Sequence, residues 1–194
     1  LARRAASRAR VADRDRSRGR RPRRLVLDEG ARALVVTADL WETIAQDAAR
    51  ESRLWGEALR PAAERALDLE PVFSPLGEER YALGLETIYE GYLLHYGRPR
   101  LFAPRDADTA LLLGDYLYAH GLVRIAEAGP VEAVTDLAAL ISLCAQLRAD
   151  RLPGDGEAWA ATAATLGRGE EARLAWIPGA DAEQALESHR RLVG

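Results

Sequence analysis

The sequence contains no lysine, no methionine and a single cysteine, Cys144. Without lysine, neither a Schiff-base mechanism nor a phosphate-binding lysine is open to it. One cysteine excludes a disulfide scaffold and a cysteine-type zinc site, and within "ALISLCAQL" Cys144 reads as a small buried thiol rather than a nucleophile or ligand. Long apolar runs are missing as well. A membrane-spanning helix needs roughly 20 apolar residues, whereas the densest segment, "ALLLGDYLYAHGLV", is interrupted by Asp115 and His120. We therefore expect a soluble, cytoplasmic protein with no transmembrane span. No His, Asp and Glu set has metal-ligand spacing, and there is neither a Ser-His-Asp arrangement nor a glycine-rich phosphate loop. On these grounds no catalytic residue, no metal ligand and no cofactor is expected.

What the chain does have is charge, unevenly placed. Residues 1–24 hold 11 Arg and 2 Asp, a local balance of +9 against −3 for the whole chain, which leaves −12 for the remainder. This arm, "LARRAASRARVADRDRSRGRRPRR", has almost no large apolar side chain with which to offset its ordering entropy, so we expect it to be disordered. It has no apolar core of the kind a secretory signal requires. One reading makes it an arm for phosphate or anionic lipid; composition favours a solvated or mistranslated leader with no role, and nucleic-acid binding is not expected. The remaining residues, 25–194, are 170 in number and suit a single domain with a real core.

From about residue 37 the pattern is helical, punctuated by Pro and Gly, with no run of alternating β-branched residues, and predicts an all-α chain. Asp39 and Glu42 form a capping-box pattern that opens a helix with Leu40, Trp41, Ile44, Ala48 and Trp55 on its apolar side, ended by Gly56. Pro61 suits the first turn of a short helix through Leu69, and "EPVFSPLGEE" reads as a loop. A helix from Glu78 to His95 carries Tyr81, Leu85, Ile88, Tyr92 and His95 along one face. Asp108 is expected to cap the next helix, which is apolar nearly all round from Ala110 to Ile125 and is therefore expected to be central. Gly129-Pro130 starts another, with Val134, Leu137, Ala138, Ile141 and Cys144 inward, and short alanine-rich helices follow over 157–167, 170–177 and 180–192.

Four local patterns, in order, resemble the trans-type isoprenyl (polyprenyl) diphosphate synthases. "GEALRP" (Gly56 to Pro61) is similar to the family's G-K-R-L-R-P, and "LETIY" (Leu85 to Tyr89) to its V-E-x-I-H. "LLH" (Leu93 to His95) resembles the L-[LI]-H before the first aspartate-rich motif, and "GDYLYAHG" (Gly114 to Gly121) the family's G-D-[YF]-L-x-x-x-A. The spacings, 32 positions from Pro61 to Leu93 and 15 from Pro99 to Gly114, are those the family leads one to expect. The resemblance covers residues 37–150 and implies a truncated isoprenoid-synthase-like helical bundle.

The resemblance also implies what is missing. Where family members carry D-D-x-x-D-x-x-x-x-R-R, Tyr96 alone stands between His95 and Gly97-Arg98-Pro99. Those aspartates hold the Mg²⁺ ions that neutralise a departing diphosphate, so their loss removes the apparatus for ionising an allylic substrate. The family's diphosphate-binding Lys and Arg correspond to Glu57 and Ala58; only Arg60 is kept. Its His corresponds to Tyr89, and no second D-D-x-x-D occurs. Glu86, Tyr89, Tyr92, His95 and Asp115 thus stand, with Arg60, as vestigial family positions, Tyr92 capping or filling the tunnel for the growing chain or serving as ordinary core. Taken from the residues alone, Asp115 reads as a buried carboxylate paired through Arg98 or Arg124, His95 as a core or boundary histidine, and His120 and His189 as exposed.

The function implied is a pseudoenzyme, a small or regulatory subunit pairing with an active polyprenyl diphosphate synthase or self-associating through its helices. One alternative is a divergent Mg²⁺-dependent synthase with a site rebuilt from Asp106, Asp108 and Asp115. Another is a helical module holding an apolar prenyl ligand. Against the rebuilt site, Asp106 and Asp108 are explained as a solvated residue and a helix cap.

Overall fold

The computed structural model describes residues 29–65 and 69–193, with side chains from Leu40 onward; the Arg-rich arm expected at 1–24 lies outside them. The chain is all-α: among the described residues the regular elements are helices and two 3₁₀ turns, and the only extended pairing is an isolated antiparallel bridge between Leu59 and Phe102. In chain order the helices are α1 (Glu29–Glu51), α2 (Arg53–Glu57), α3 (Ala62–Arg65), α4 (Ala82–Tyr96), α5 (Ala107–Ala128), α6 (Val131–Asp150), α7 (Asp155–Thr165), α8 (Gly169–Ala175) and α9 (Ala180–Val193). No helix of the described residues is long and apolar enough to cross a membrane.

α4 is the axis of the molecule. From Gly84 to Leu94 every residue is buried. On one side Tyr81, Leu85, Ile88, Tyr89, Tyr92 and Leu93 join α6, α7 and α9 around Trp159, Leu137, Leu140 and Ala185. On the other, Leu94 joins Trp41, Ile44 and Ala48 of α1 and Leu113 and Leu117 of α5. α5 runs antiparallel to α4, and small residues set their separation. A Cβ on Gly91 would lie 2.9 Å from the Gly114 carbonyl oxygen, closer than real Cβ atoms come, and one on Gly84 3.2 Å from that of Gly121, tighter than most such contacts. The two glycine pairs sit seven residues apart on each helix, so both backbones approach at the same two levels.

Several expectations need correction. The first helix does not open at Asp39: it begins at Glu29 and runs through the capping-box pattern, because upstream carbonyls are in place to accept the N–H groups that a cap would otherwise satisfy. It ends at Glu51, and Ser52 caps the separate α2 by accepting from Leu54 N at 3.1 Å. The short helix after Pro61 is described only over Ala62–Arg65 and Leu69 is not helical; "EPVFSPLGEE" holds a 3₁₀ turn at Ser74–Leu76, and a second, Glu79–Tyr81, begins at its last residue.

α5 is not central. It buries one stripe, Leu113, Gly114, Leu117, Gly121 and Ile125, and leaves Leu111, Leu112 and Val123 more than half exposed. Its cap is Asp106, whose Oδ1 accepts from Thr109 N at 2.7 Å; Asp108 sits in the first turn. The reach decides this, since a capping side chain bonds the N–H two or three residues on while its own backbone stays extended. In α6 the inward stripe is Ala133, Leu137, Leu140 and Cys144, with Ala138 on the outside. Cys144 is buried, as expected, and burial pushes its thiol up to about 12.

Candidate functional site

Two polar clusters flank α4, and together they contain most of the ionisable groups that folding takes out of water. The first begins with Glu86 and Glu90, four residues apart on one face of α4 and both fully buried. Such carboxylates need donors, and two loops bring them. Glu86 Oε1 accepts from Val72 N at 3.1 Å and Ser74 N at 3.2 Å; Glu90 Oε1 accepts from Leu101 N at 2.7 Å. The second oxygens face Arg100, which is 2% exposed. Its Nε donates to Glu90 Oε2 at 3.1 Å and its Nη1 to the Glu70 carbonyl at 3.0 Å. Nη1 is also 3.0 Å from Glu86 Oε2, an ion pair out of line for a directed bond.

The guanidinium faces lie against rings, 4.4 Å from the centre of Trp41 and 5.1 Å from that of Tyr89. Burial opposes the charge on Arg100, yet Glu86 and Glu90 more than offset it and its pKa is raised. Nη2 is the one corner with no partner.

The second cluster joins four helices. Tyr92 of α4 donates its hydroxyl proton to Asp155 at the start of α7. Arg148 of α6 donates to the Tyr92 oxygen through Nε at 3.0 Å and Nη2 at 2.8 Å, and the same Nη2 is 2.5 Å from Asp155 Oδ2. His189 of α9 completes the chain: Nδ1 is 2.9 Å from the Tyr89 hydroxyl and Nε2 is 3.5 Å from Asp155 Oδ2. Which way the bond between Tyr89 and His189 runs depends on the imidazole tautomer.

Burial works against ionising Asp155, but bonds from His189 and Tyr92 and the charge of Arg148 hold its carboxyl well below the usual range. Burial also drives both Tyr89 and Tyr92 far above the usual phenol range, so these hydroxyls stay protonated and are not nucleophiles. Asp155, Arg148 and His189 reach the wall of a cleft of about 650 Å³ between the α6–α7 turn and α9.

The sequence-predicted residues are distributed as follows. Glu86 belongs to the first cluster; Tyr89 touches both, and Tyr92 belongs to the second. Tyr92 is fully buried and stacks on Tyr89 at 5.8 Å, with Trp159 edge-on to both rings, which is the arrangement of a filled core. Arg60 stands apart, its Nε donating to the Phe102 carbonyl at 3.2 Å where 58–60 and 101–103 pair.

His95 and Asp115 do meet. Asp115 is exposed rather than buried, and its partner is His95, with Oδ1 3.3 Å from Nε2, not Arg98 or Arg124. His95 rests over Gly114 and stacks on Tyr118, and desolvation lowers its pKa although Asp115 pulls the other way. Arg124 instead ties α5 to α1 and α4 through Asp47, at 2.5 Å, and the Thr87 hydroxyl.

The structure does not gather Asp106, Asp108 and Asp115. Asp106 is engaged as the cap, and the helical rise sets Asp115 about 10 Å along the axis from Asp108. Among the described residues no group of three or more His, Cys, Asp and Glu is arranged to hold a metal ion.

His120 and His189 are not exposed. His120 is half-buried against Tyr116, and His189 is buried. His189, Asp155, Arg148, Glu90 and Arg100 were missed by the sequence reading. For His189 a signal existed: Ala182, Ala185 and His189 recur at three and four residues, the buried stripe of α9.

Comparison of the chain with protein-family models, with curated proteins and with solved structures finds no match. The resemblance to polyprenyl synthases therefore rests on the residues quoted for it.

Proposed function

We propose that the chain is a non-catalytic polyprenyl-synthetase-like protein, a small or regulatory subunit that pairs with an active polyprenyl diphosphate synthase in isoprenoid biosynthesis. The observation that carries this reading is the outward face of α5. Leu112, Ala119, Val123 and Ala126 form an exposed apolar stripe at helical spacing, with Leu111 beside it. Apolar residues of this size in a row on a well-packed helix mark a surface suited to a partner. The groups of α4 that stand at family positions fit a protein without turnover: Glu86, Tyr89 and Tyr92 are all engaged by neighbouring side chains or backbone. The rebuilt-site alternative draws no support from the placement of Asp106, Asp108 and Asp115, nor the apolar-ligand alternative from the packed surroundings of Tyr92.

The test is capture of the tagged chain from its native lysate, with mass spectrometry of what accompanies it and a prenyl transfer assay on the eluate and on the chain alone. We expect a full-length polyprenyl synthase and activity only in the eluate, both lost with Val123→Asp. Turnover by the chain alone, or no polyprenyl synthase in the eluate, overturns the reading; a homodimer with no other partner makes the same face a self-association surface.

A further inference from the structure

The face that α5 turns to water is not uniformly apolar. Asp108, Leu112, Asp115, Ala119, Val123 and Ala126 follow one another along it at steps of three and four residues, all exposed, with Leu111 and Glu127 at its two edges. The face divides into halves. From Asp108 to Asp115 it sets two carboxylates one heptad apart, about 10 Å along the axis, beside two leucines. From Ala119 to Ala126 it is small and uncharged.

No cation of α5 answers these acids. Arg124 is the only arginine of the helix, and it is spent on Asp47 and the Thr87 hydroxyl. His120 turns the same way, its Nε2 3.8 Å from Asp47 Oδ2. Asp108 and Glu127 form no ion pair among the described residues. Asp115 meets only His95, whose pKa desolvation lowers, so the imidazole is neutral at pH 7 and leaves the charge of Asp115 standing. Covering the stripe would take Asp108 and Asp115 out of water, which is costly unless the covering surface brings cations.

A second copy of the chain brings none. With two α5 helices antiparallel about Ala119, Asp115 lies against Val123 and Glu127 against Leu111; a crossing nearer the N-terminus sets Asp115 against Asp115. Like charges across an interface reject such a pairing.

We propose that the occupant of this face is a basic amphipathic helix of another protein, with bulky apolar residues along its contact stripe and two Arg or Lys side chains one heptad apart to meet Asp108 and Asp115. This rests on the reading of α5 as the pairing face and adds the partner's chemistry. The bulky side chains fill the space over Ala119 and Ala126, and because the acids stand at one end, the two halves fix the direction and register of docking.

The experiment is fluorescence anisotropy of labelled 21-residue helical peptides, at nanomolar concentration, titrated with the full chain. One peptide has Leu at heptad position a, Ala at d and Arg at g; a second has Glu at g; a third scrambles the first. We expect saturable binding of the Arg peptide that weakens with added salt, with the Glu and scrambled peptides weaker by at least about tenfold. The double variant Asp108→Arg with Asp115→Arg, its folding checked by circular dichroism, should lose at least about tenfold for the Arg peptide and gain for the Glu peptide. The native chain alone should sediment as a monomer. The proposal is overturned if the scrambled or Glu peptide binds as tightly as the Arg peptide, if the double variant leaves the order of the peptides unchanged, or if the native chain is a dimer through α5. Lysate capture separates this from the synthase reading. Peptide binding as expected, with no polyprenyl synthase captured, removes the synthase and keeps the chemistry; a synthase captured equally by the native chain and the double variant keeps the synthase and removes the chemistry.

Discussion

α4 and α5 are neighbours of similar composition that meet water in opposite ways. Both are rich in Leu, Tyr and Gly, and α5 has the longer uninterrupted apolar run. Yet α4, which carries Glu86 and Glu90 in its middle, is buried all round, while α5 shows Leu112 at 55% and Val123 at 53% exposure. An apolar circumference permits burial but does not cause it; neighbours on every side do. α4 is covered by α1, α5, α7, α9 and two loops, and those loops bring the backbone N–H groups and the guanidinium that make two interior carboxylates tolerable. α5 packs one stripe against α4, and nothing within the described residues covers its far side.

Changes that attack the compensation inside α4 should have the largest effect. Arg100→Met leaves two buried carboxylates facing each other without their cation and should destabilise by about 3–5 kcal/mol, read from urea unfolding. If the variant unfolds at the native midpoint, the carboxylates of α4 are held by the loop N–H groups alone. Next comes the seam between the helices. A Cβ at Gly121 would strike Ile88, so Gly121→Ala should cost about 1–3 kcal/mol despite its better helix propensity. A stabilised variant would mean that the seam is looser than its glycines imply.

Asp155→Asn tests the other side of α4. At neutral pH it should destabilise by about 1–3 kcal/mol by weakening the acceptor for Tyr92, Arg148 and His189. The folded-state pKa of Asp155 is depressed, so its contribution is complete above the unfolded value of about 3.9 and is lost as pH falls from there through the folded one. The melting-temperature gap between native and variant chains should therefore close on acidification; a gap unchanged at low pH would remove the ionised carboxylate from the explanation. The smallest effect should come from the far side of α5. Val123→Asp should change stability by no more than about 0.5 kcal/mol while it disrupts pairing, and a large loss of stability would place Val123 in the core.

The contrast also shows what was readable in advance. Periodicity gave the all-α class and most helix centres, because the 3.6-residue repeat is a local property of sequence. It misplaced the opening of α1, since the Asp39–Glu42 pattern can sit mid-helix as well as at a start, and only the preceding backbone decides. It chose Asp108 over Asp106 where two aspartates differ only in which can reach Thr109 N. The clusters beside α4 were harder still. Tyr89 and His189 are 100 positions apart, and the Glu86–Glu90–Arg100 set exists only after a loop folds back over its own helix. No spacing rule joins such partners. What the sequence did signal was an acidic pair inside an apolar helix, and that pair should have prompted a search for the arginine nearby.

The paired glycines between α4 and α5 have a consequence for time as well as space. Their two contacts lie within a single stretch of chain from Gly84 to Gly121, so the helical hairpin closes a short loop and needs no distant segment to find its register. A slip of one turn sets backbone against side chains at both notches at once, which makes wrong alignments poor resting places. The hairpin is thus suited to assemble first and present a finished surface to α6, α7 and α9, the segments translated after it.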